Sequence, residues 1–422
     1  MRAFALSLFC LVALGASAGD YEVKSPNGKV RVVVNTDQQV SWAVSYEGQT
    51  VLLPSAIDIQ LRQGKKVTGL GKVGKVARQQ VRSSFETPFY KKATVRDEYS
   101  QLTLYTNQRL AIEVRAYDDG AAYRLVSTSA KPAEVLNETV ECCFADDYPA
   151  FIPYVNDNRG GERYCYSFES YYDEQPLSKM FEDSLAITPL AVCLPSGMKA
   201  IVMDGGVENY PGMFVKGGGT SLKATFARYP KTFDYYPWRV QKYVTANEDF
   251  IAKGKGNRTF PWRILAITHE DKEMPMNTLA YSLASPSRIQ GDTMWIKPGK
   301  VAWDWWNDWG ISGVDFKAGI NQQTYKYYID FAAKHGLEYI ILDEGWYNPK
   351  SGDMLTVIPE LDLPALVQYG KQKNVGIILW TVFNVLDKQL NEACEKYADM
   401  GIKGFKVDFF DRDDQQVIAS AY

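Results

Sequence analysis

The chain has 422 residues, of which 46% are hydrophobic and 23% charged, and a formal net charge of −3. This is the composition of a folded globular protein, not of a disordered or fibrous one, and the length suggests two or three domains. The charge balance offers no basic surface for nucleic acid or for an anionic membrane, so neither is expected as a partner.

Residues 1–18, MRAFALSLFCLVALGASA, pair a positive start at Arg2 with an apolar run from Ala3 to Leu14 and the small residues Ala16-Ser17-Ala18. This pattern predicts a secretory signal peptide cleaved before Gly19. A membrane anchor is the alternative, but the run is shorter than the roughly 20 residues that a bilayer core requires. Cys10 lies inside the apolar run and no cysteine follows the small residues, which argues against a lipoprotein anchor. No later segment is apolar enough to insert in a membrane after cleavage.

Residues 19–288 read as β structure. SPNGKVRVVVNTDQQVSWAVSYEGQTVL predicts strand, turn and strand, and RLAIEVRAYDDGAAYRLV and LAVCLPSGMKAIVMDGG repeat the style. Many short strands joined by turn residues predict a large antiparallel sandwich. After the leader, Cys142, Cys143, Cys165, Cys193 and Cys394 remain, an odd number with no zinc-site spacing. They are expected to pack, with at most one bridge. The two histidines, His269 and His335, supply no motif, and His335 fits the end of a helix before Gly336.

Residues 289–422 alternate apolar strands and amphipathic helices. Strands are predicted at Lys300–Trp306, Leu337–Tyr347, Val375–Phe383 and Ile402–Phe410, with helices at Asn321–Gly336, Glu360–Asn374 and Asp387–Gly401. The continuous apolar character suits parallel strands covered on both faces. An open doubly wound sheet and half of a (β/α)8 barrel both fit this alternation. The barrel is favoured because each strand ends in aromatic or charged residues, where barrel enzymes hold their catalytic groups, and no glycine-rich phosphate loop follows any strand. The predicted fold class is therefore an N-terminal antiparallel β-super-sandwich followed by the first four strands of a TIM barrel. A complete barrel takes roughly 250 residues, more than follow Gln290, so the sequence reads as part of a longer protein.

The strand-end residues carry the chemistry. Lys406 and Asp408 alternate onto one side of a strand, where the lysine would keep the carboxylate ionised. Such a fixed anion suits a glycosidase nucleophile, although a structural ion pair is the plainer account. In LDEGWY, Asp343 and Glu344 precede Gly345, and their carboxylates suit paired sugar hydroxyls while Trp346 offers a flat face. In WDWWNDW, Asp304 sits among Trp303, Trp305 and Trp306, as ligand contacts or as core. Asp413 and Asp414 read as the N-cap region of a following helix, with Arg412 pairing locally.

Five segments resemble glycoside hydrolase family 97: FESYYDEQPLSKM (Phe168–Met180), YYPWRV (Tyr235–Val240), MWIKPGKVAWDWW (Met294–Trp306), ILDEGWY (Ile341–Tyr347) and GFKVDFFDRDDQ (Gly404–Gln415). The resemblance implies an exported bacterial α-glycosidase, periplasmic in a Gram-negative cell, acting on α-linked oligosaccharides. The KVDF context implies the retaining branch with Asp408 as nucleophile. Lys406, Asp343, Glu344, Trp346, Asp304 and Trp305 are the implied substrate contacts. The acidic GW motif is similar to that of α-galactosidases, which favours α-galactosides. An α-glucosidase acting on starch-derived oligosaccharides and a non-catalytic carbohydrate-binding protein are the alternatives. The family also implies calcium, with Glu169 of FESYY as the matching ligand. The acid/base glutamate and most calcium ligands are expected beyond Tyr422, so this sequence alone is not expected to turn over.

Overall fold

A computed structural model describes residues 19–87, 90–155, 164, 168–181, 183–236, 239–289 and 291–422. The predicted leader, Cys165, and Pro237 and Trp238 of YYPWRV lie outside the described residues. The chain forms two compact units that are not contiguous in sequence. The first comprises the chain up to Lys231 with Ala246–Ser287 and Asp413–Tyr422, and the second comprises Thr232–Thr245 and Arg288–Arg412. These units differ from a single cut at 288: a hairpin segment joins the second and the last helix joins the first.

The first unit is built of a nine-stranded and a ten-stranded antiparallel sheet, counted among the described residues. Alternation explains how each strand buries one face. Val30, Val32 and Val34 of one strand and Trp42, Val44 and Tyr46 of the next face inward. The second of these strands, Ser41–Tyr46, is joined to the following one, Gln49–Gln63, by a two-residue turn, Glu47-Gly48, with both residues at positive φ, the conformation that matches strand twist in tight hairpins. From the larger sheet, Leu102, Leu104, Ile112 and Val114 enter the same apolar cluster, so the two sheets share a sandwich-like core. Cys142, Cys143, Cys193 and Cys394 are all free.

The last helix, Gln415–Ala421, belongs to this unit. Asp414 is its N-cap and accepts from the Gln416 and Val417 N–H groups. Asp413 does not share that role, contrary to the sequence reading. It is partly buried, and desolvation, reinforced by the charges of Asp414 and Asp204, pushes its carboxyl up to about 7.

The second unit carries a four-stranded parallel sheet in chain order: Val301–Trp303, Tyr339–Leu342, Gly376–Val382 and Gly404–Asp408. Helices Gln322–His335, Leu363–Lys373 and Phe383–Met400 alternate with the strands. Their ends follow local chemistry. Asn321 and Asp362 are N-caps, and Gly336, Asn374 and Gly401 end the helices in the left-handed region. His335 is the last residue of its helix, as read from the sequence. The strands are shorter than predicted because the aromatic and acidic residues after each apolar run turn out of the sheet. Asp304–Asn307, for example, forms a 3-10 turn instead of extending the first strand. None of the described helices is long and apolar enough to cross a membrane.

Candidate active site

The register of the sheet sets the site. Trp380 lies opposite Lys406 and Val382 opposite Asp408 on adjacent parallel strands. Lys406 and Asp408, two residues apart, project to one side. The Lys406 ammonium bridges two acids, reaching Asp408 Oδ2 at 2.9 Å and Asp343 Oδ2 at 3.0 Å. Asp408 Oδ2 also accepts from the Trp380 indole at 3.1 Å, and Oδ1 accepts from the Phe409 N–H at 2.9 Å. Burial acts to raise the Asp408 pKa, but the hydrogen bonds from Lys406 and Trp380, the lysine charge and the Phe409 amide outweigh it, and the carboxyl lies below its ordinary value. Its side chain stays 35% exposed, so an ionised carboxylate remains open to solvent.

Asp343 is held on every side. The Trp303 indole donates to Oδ2 at 2.6 Å, and the Glu344 N–H donates to Oδ1 at 2.8 Å. The Lys406 ammonium lies 4.4 Å from the centre of the Trp303 ring, adding a cation–π contact. Glu344 meets Arg239, whose Nε and Nη2 contact Oε1 at 3.0 Å and Oε2 at 2.5 Å. This two-point fork fixes the carboxylate plane, and the guanidinium also sits 3.9 Å from the centre of the Phe409 ring. The backbone turns sharply around the acids. Gly345 adopts φ +118°, and a Cβ there would come within 2.3 Å of Ile320 Cδ1, so this turn demands glycine. Phe409 and Asp411, just past the last strand, hold φ of +56° and +47°. Non-glycine residues in that region cost about 1 kcal/mol or more each and gather at functional sites.

Two models of sequence families match this chain: the glycosyl-hydrolase 97 N-terminal model over residues 23–286 and the glycoside hydrolase 97 model over 305–422. The chain belongs to glycoside hydrolase family 97. It is 40% identical over 423 residues to a retaining alpha-galactosidase of Bacteroides thetaiotaomicron, which covers 99% of this chain and 64% of that one. A probable retaining alpha-galactosidase of Streptomyces bingchenggensis is 26% identical over 430 residues, covering 98% of this chain and 61% of its own. The chain thus spans less than two thirds of the length of these relatives. Among solved structures, a family 97 enzyme from Pseudoalteromonas sp. strain K8 in complex with acarbose superposes with a TM-score of 0.77 at 20% identity, covering 95% of this chain and 63% of that one. A beta-arabinopyranosidase does so with 0.77 at 21%, covering 95% and 64%. Both share the fold.

Within this family 97 site, Asp408, Lys406, Asp343 and Glu344 come together as one cluster, and Trp305 is 48% exposed after the first strand. Two other predicted sugar contacts are corrected. Trp346 is completely buried, donates its indole N–H to the Trp380 carbonyl at 2.7 Å and packs against Tyr347 and Tyr397. A ring sealed on both faces cannot stack on a sugar. The residue serves the core, because the strand ends before it and the turn at Gly345 aims it inward. Asp304 is likewise enclosed. It accepts from the Tyr325 hydroxyl at 2.9 Å and from the Asp343 N–H at 3.2 Å, so it positions Asp343 instead of touching ligand. Arg239 escaped the reading as a site residue, and Trp303 and Trp380, read only as strand-end aromatics, hold the acids through their indole N–H groups. Arg239 had a signal, its place in YYPWRV, but nothing in the sequence links it to Glu344, 105 residues away. Glu169 is exposed, and no three Asp, Glu, His or Cys among the described residues form a metal-binding group. Calcium takes six to eight oxygen ligands, so these residues do not by themselves fit the ion.

The Asp304 environment predicts a pH dependence. Burial first, then the Asp343 charge, raises its carboxyl to about 7 against opposing hydrogen bonds, compared with about 3.9 when unfolded. Between these values the native state holds a proton that the unfolded state has lost, so its contribution is full below about pH 4 and disappears as pH rises toward 7. The total is roughly 4 kcal/mol. Asp304→Asn is expected to flatten this decline in chemical denaturation measured across pH 4–8. A slope unchanged from the parent would contradict the assignment.

Proposed function

We propose that the protein is a retaining α-glycosidase that prefers α-galactosides, with Asp408 as its nucleophile. The observation that carries this reading is a strand-end carboxylate kept ionised by Lys406, Trp380 and a backbone amide while still open to solvent. The names of the two relatives support retention and galactoside preference. The proposed substrate is an α-linked oligosaccharide.

Counting lone pairs identifies the attacking atom. Oδ2 accepts from two donors and Oδ1 from one, so Oδ1 keeps a lone pair for the anomeric carbon. That attack forms a covalent glycosyl–enzyme ester as the aglycone leaves with a proton from a general acid, and water then hydrolyses the ester. Asp343 and Glu344 would orient the hydroxyls of the terminal sugar, with Trp305 along its face. None of the strand-end acids suits the general acid. Asp343 is paired with Lys406, Glu344 with Arg239, and Asp304, although its pKa suits an acid, is enclosed. In this reading the acid comes from a portion of the longer family architecture outside this sequence.

The parallel sheet fits the first half of a (β/α)8 barrel, since its four strands follow in order with helices between and site residues at their C-terminal ends. Residues 1–18 are proposed as a cleaved leader and the location as periplasmic. Calcium enters only through Glu169, and no step is routed through it. The test is a parallel assay of the full-length protein on p-nitrophenyl α-galactoside and α-glucoside, with the first-formed sugar anomer followed by NMR. Faster galactoside cleavage with the α-anomer appearing first is expected. Preferential glucoside cleavage or first release of the β-anomer would overturn the respective half of the proposal, and no cleavage of either would favour a carbohydrate-binding role.

A further inference from the structure

Arg239 has a second face. Besides gripping Glu344, it lines a cavity of about 440 Å³ within the second unit, a volume in the roughly 300–1,000 Å³ range of small-ligand pockets. The same cavity is lined by Lys242, Lys350 and Lys388, with Asp387 as the one acid. Glu344 answers the charge of Arg239, and the Phe233 ring lies 4.6 Å beneath the ammonium of Lys242. Lys350 and Lys388 have no carboxylate partner among the described residues.

A further donor lines the cavity. The amide Nδ2 of Asn384 is buried and has no acceptor, which ordinarily costs about 1–3 kcal/mol. Asn384 is the second residue of helix Phe383–Met400, whose N-cap, Val382, supplies no side-chain acceptor. The helix therefore presents free N–H groups and the positive end of its dipole at the same place. Unpaired cations, an unsatisfied amide and a helix start within one concave surface focus a positive potential. Tyr235, half exposed, and Tyr236 add ring faces to the wall.

We propose that this cavity is a subsite for an anionic sugar next to the one cleaved, taking a uronate carboxylate or a sulfate ester. The proposal rests on the glycosidase reading above. It follows from continuity: Arg239 belongs both to the cavity and to the chain Glu344–Asp343–Lys406–Asp408. A neutral aglycone would leave the charges of Lys350 and Lys388 unanswered, whereas a carboxylate or sulfate brings the opposite charge to both.

The test uses the full-length enzyme on an α-galactosyl uronic acid disaccharide, on its carboxyl-reduced neutral counterpart, on a sulfated α-galactosyl disaccharide, and on p-nitrophenyl α-galactoside as the neutral reference. At low salt, kcat/KM for the uronate or the sulfate is expected to exceed that of the neutral disaccharide by about tenfold, and the ratio should shrink at high salt as the charges are screened. The comparison of the two anions identifies the group accepted. The Lys350→Ala/Lys388→Ala double variant should bring the ratio to about one and leave cleavage of the nitrophenyl galactoside unchanged. A ratio of about one in the parent enzyme, with normal cleavage of the nitrophenyl galactoside, would refute the subsite and spare the glycosidase reading. If no substrate is cleaved, calorimetry with free galacturonate and with galactose sulfate decides: salt-sensitive binding lost in the double variant supports the subsite, and its absence overturns it.

Discussion

Asp408→Gly, made in the full-length enzyme, is expected to lower kcat on α-galactosides by about 10³-fold or more, because the variant has no group to form the glycosyl–enzyme ester. The fold should survive. Asp408 is the last residue of its strand and partly exposed, and the Trp380 indole it releases can be met by water. Added azide should restore turnover by occupying the vacated space and attacking the anomeric carbon from the same face, giving a β-galactosyl azide. That product, detected by NMR, separates the nucleophile from a residue that only orients the sugar. Activity within tenfold of the parent without azide would remove Asp408 from the mechanism.

Lys406→Met is the second large effect, and it acts on two acids at once. The variant leaves Asp343, almost wholly buried, and Asp408 without their shared cation. Truncating one partner of a fully buried ion pair costs about 3–5 kcal/mol; Lys406 and Asp408 are partly exposed, so a smaller fall in stability at pH 7 is expected in denaturant titration. The sign for Asp408 follows from its lowered folded pKa. In the parent, its contribution is present above the unfolded value of about 3.9 and is lost as pH falls through the folded value. In the variant burial prevails, the pKa rises, and that contribution disappears. The acidic limb of the kcat/KM profile should therefore move to higher pH, by about a unit or more. Lys406→Arg keeps the charge and should restore the position of the limb better than the rate, since a planar guanidinium cannot reproduce one ammonium shared between two oxygens. An unmoved limb in Lys406→Met would show that the lysine does not govern the ionisation of Asp408.

Much of this site can be read along the chain because its parts are local. Lys406 and Asp408 face one way through simple strand alternation, and the acids before Gly345 sit where only glycine permits the turn. The cap at Asp414 and the helix ends at Gly336, Asn374 and Gly401 are equally local. Trp346 and Asp304 were misread for one shared reason. Residue type marks them as suited to a sugar, but their burial is set by neighbours 21–51 residues away, Tyr325 for one and Tyr397 for the other. Arg239 shows the reverse error, a site cation passed over because its partner lies 105 residues on.

By itself, then, the sequence determined the strand and helix alternation, the β style of the first unit and the identity of the charged pair at the last strand, because periodicity, caps and turn residues act over a few positions. Tertiary structure alone decided which acid remains open, which are clamped, which tryptophans donate and which fill the core, and where unpaired cations gather. Those outcomes depend on desolvation and on charges brought together from distant segments, and neither quantity exists until the strands lie side by side.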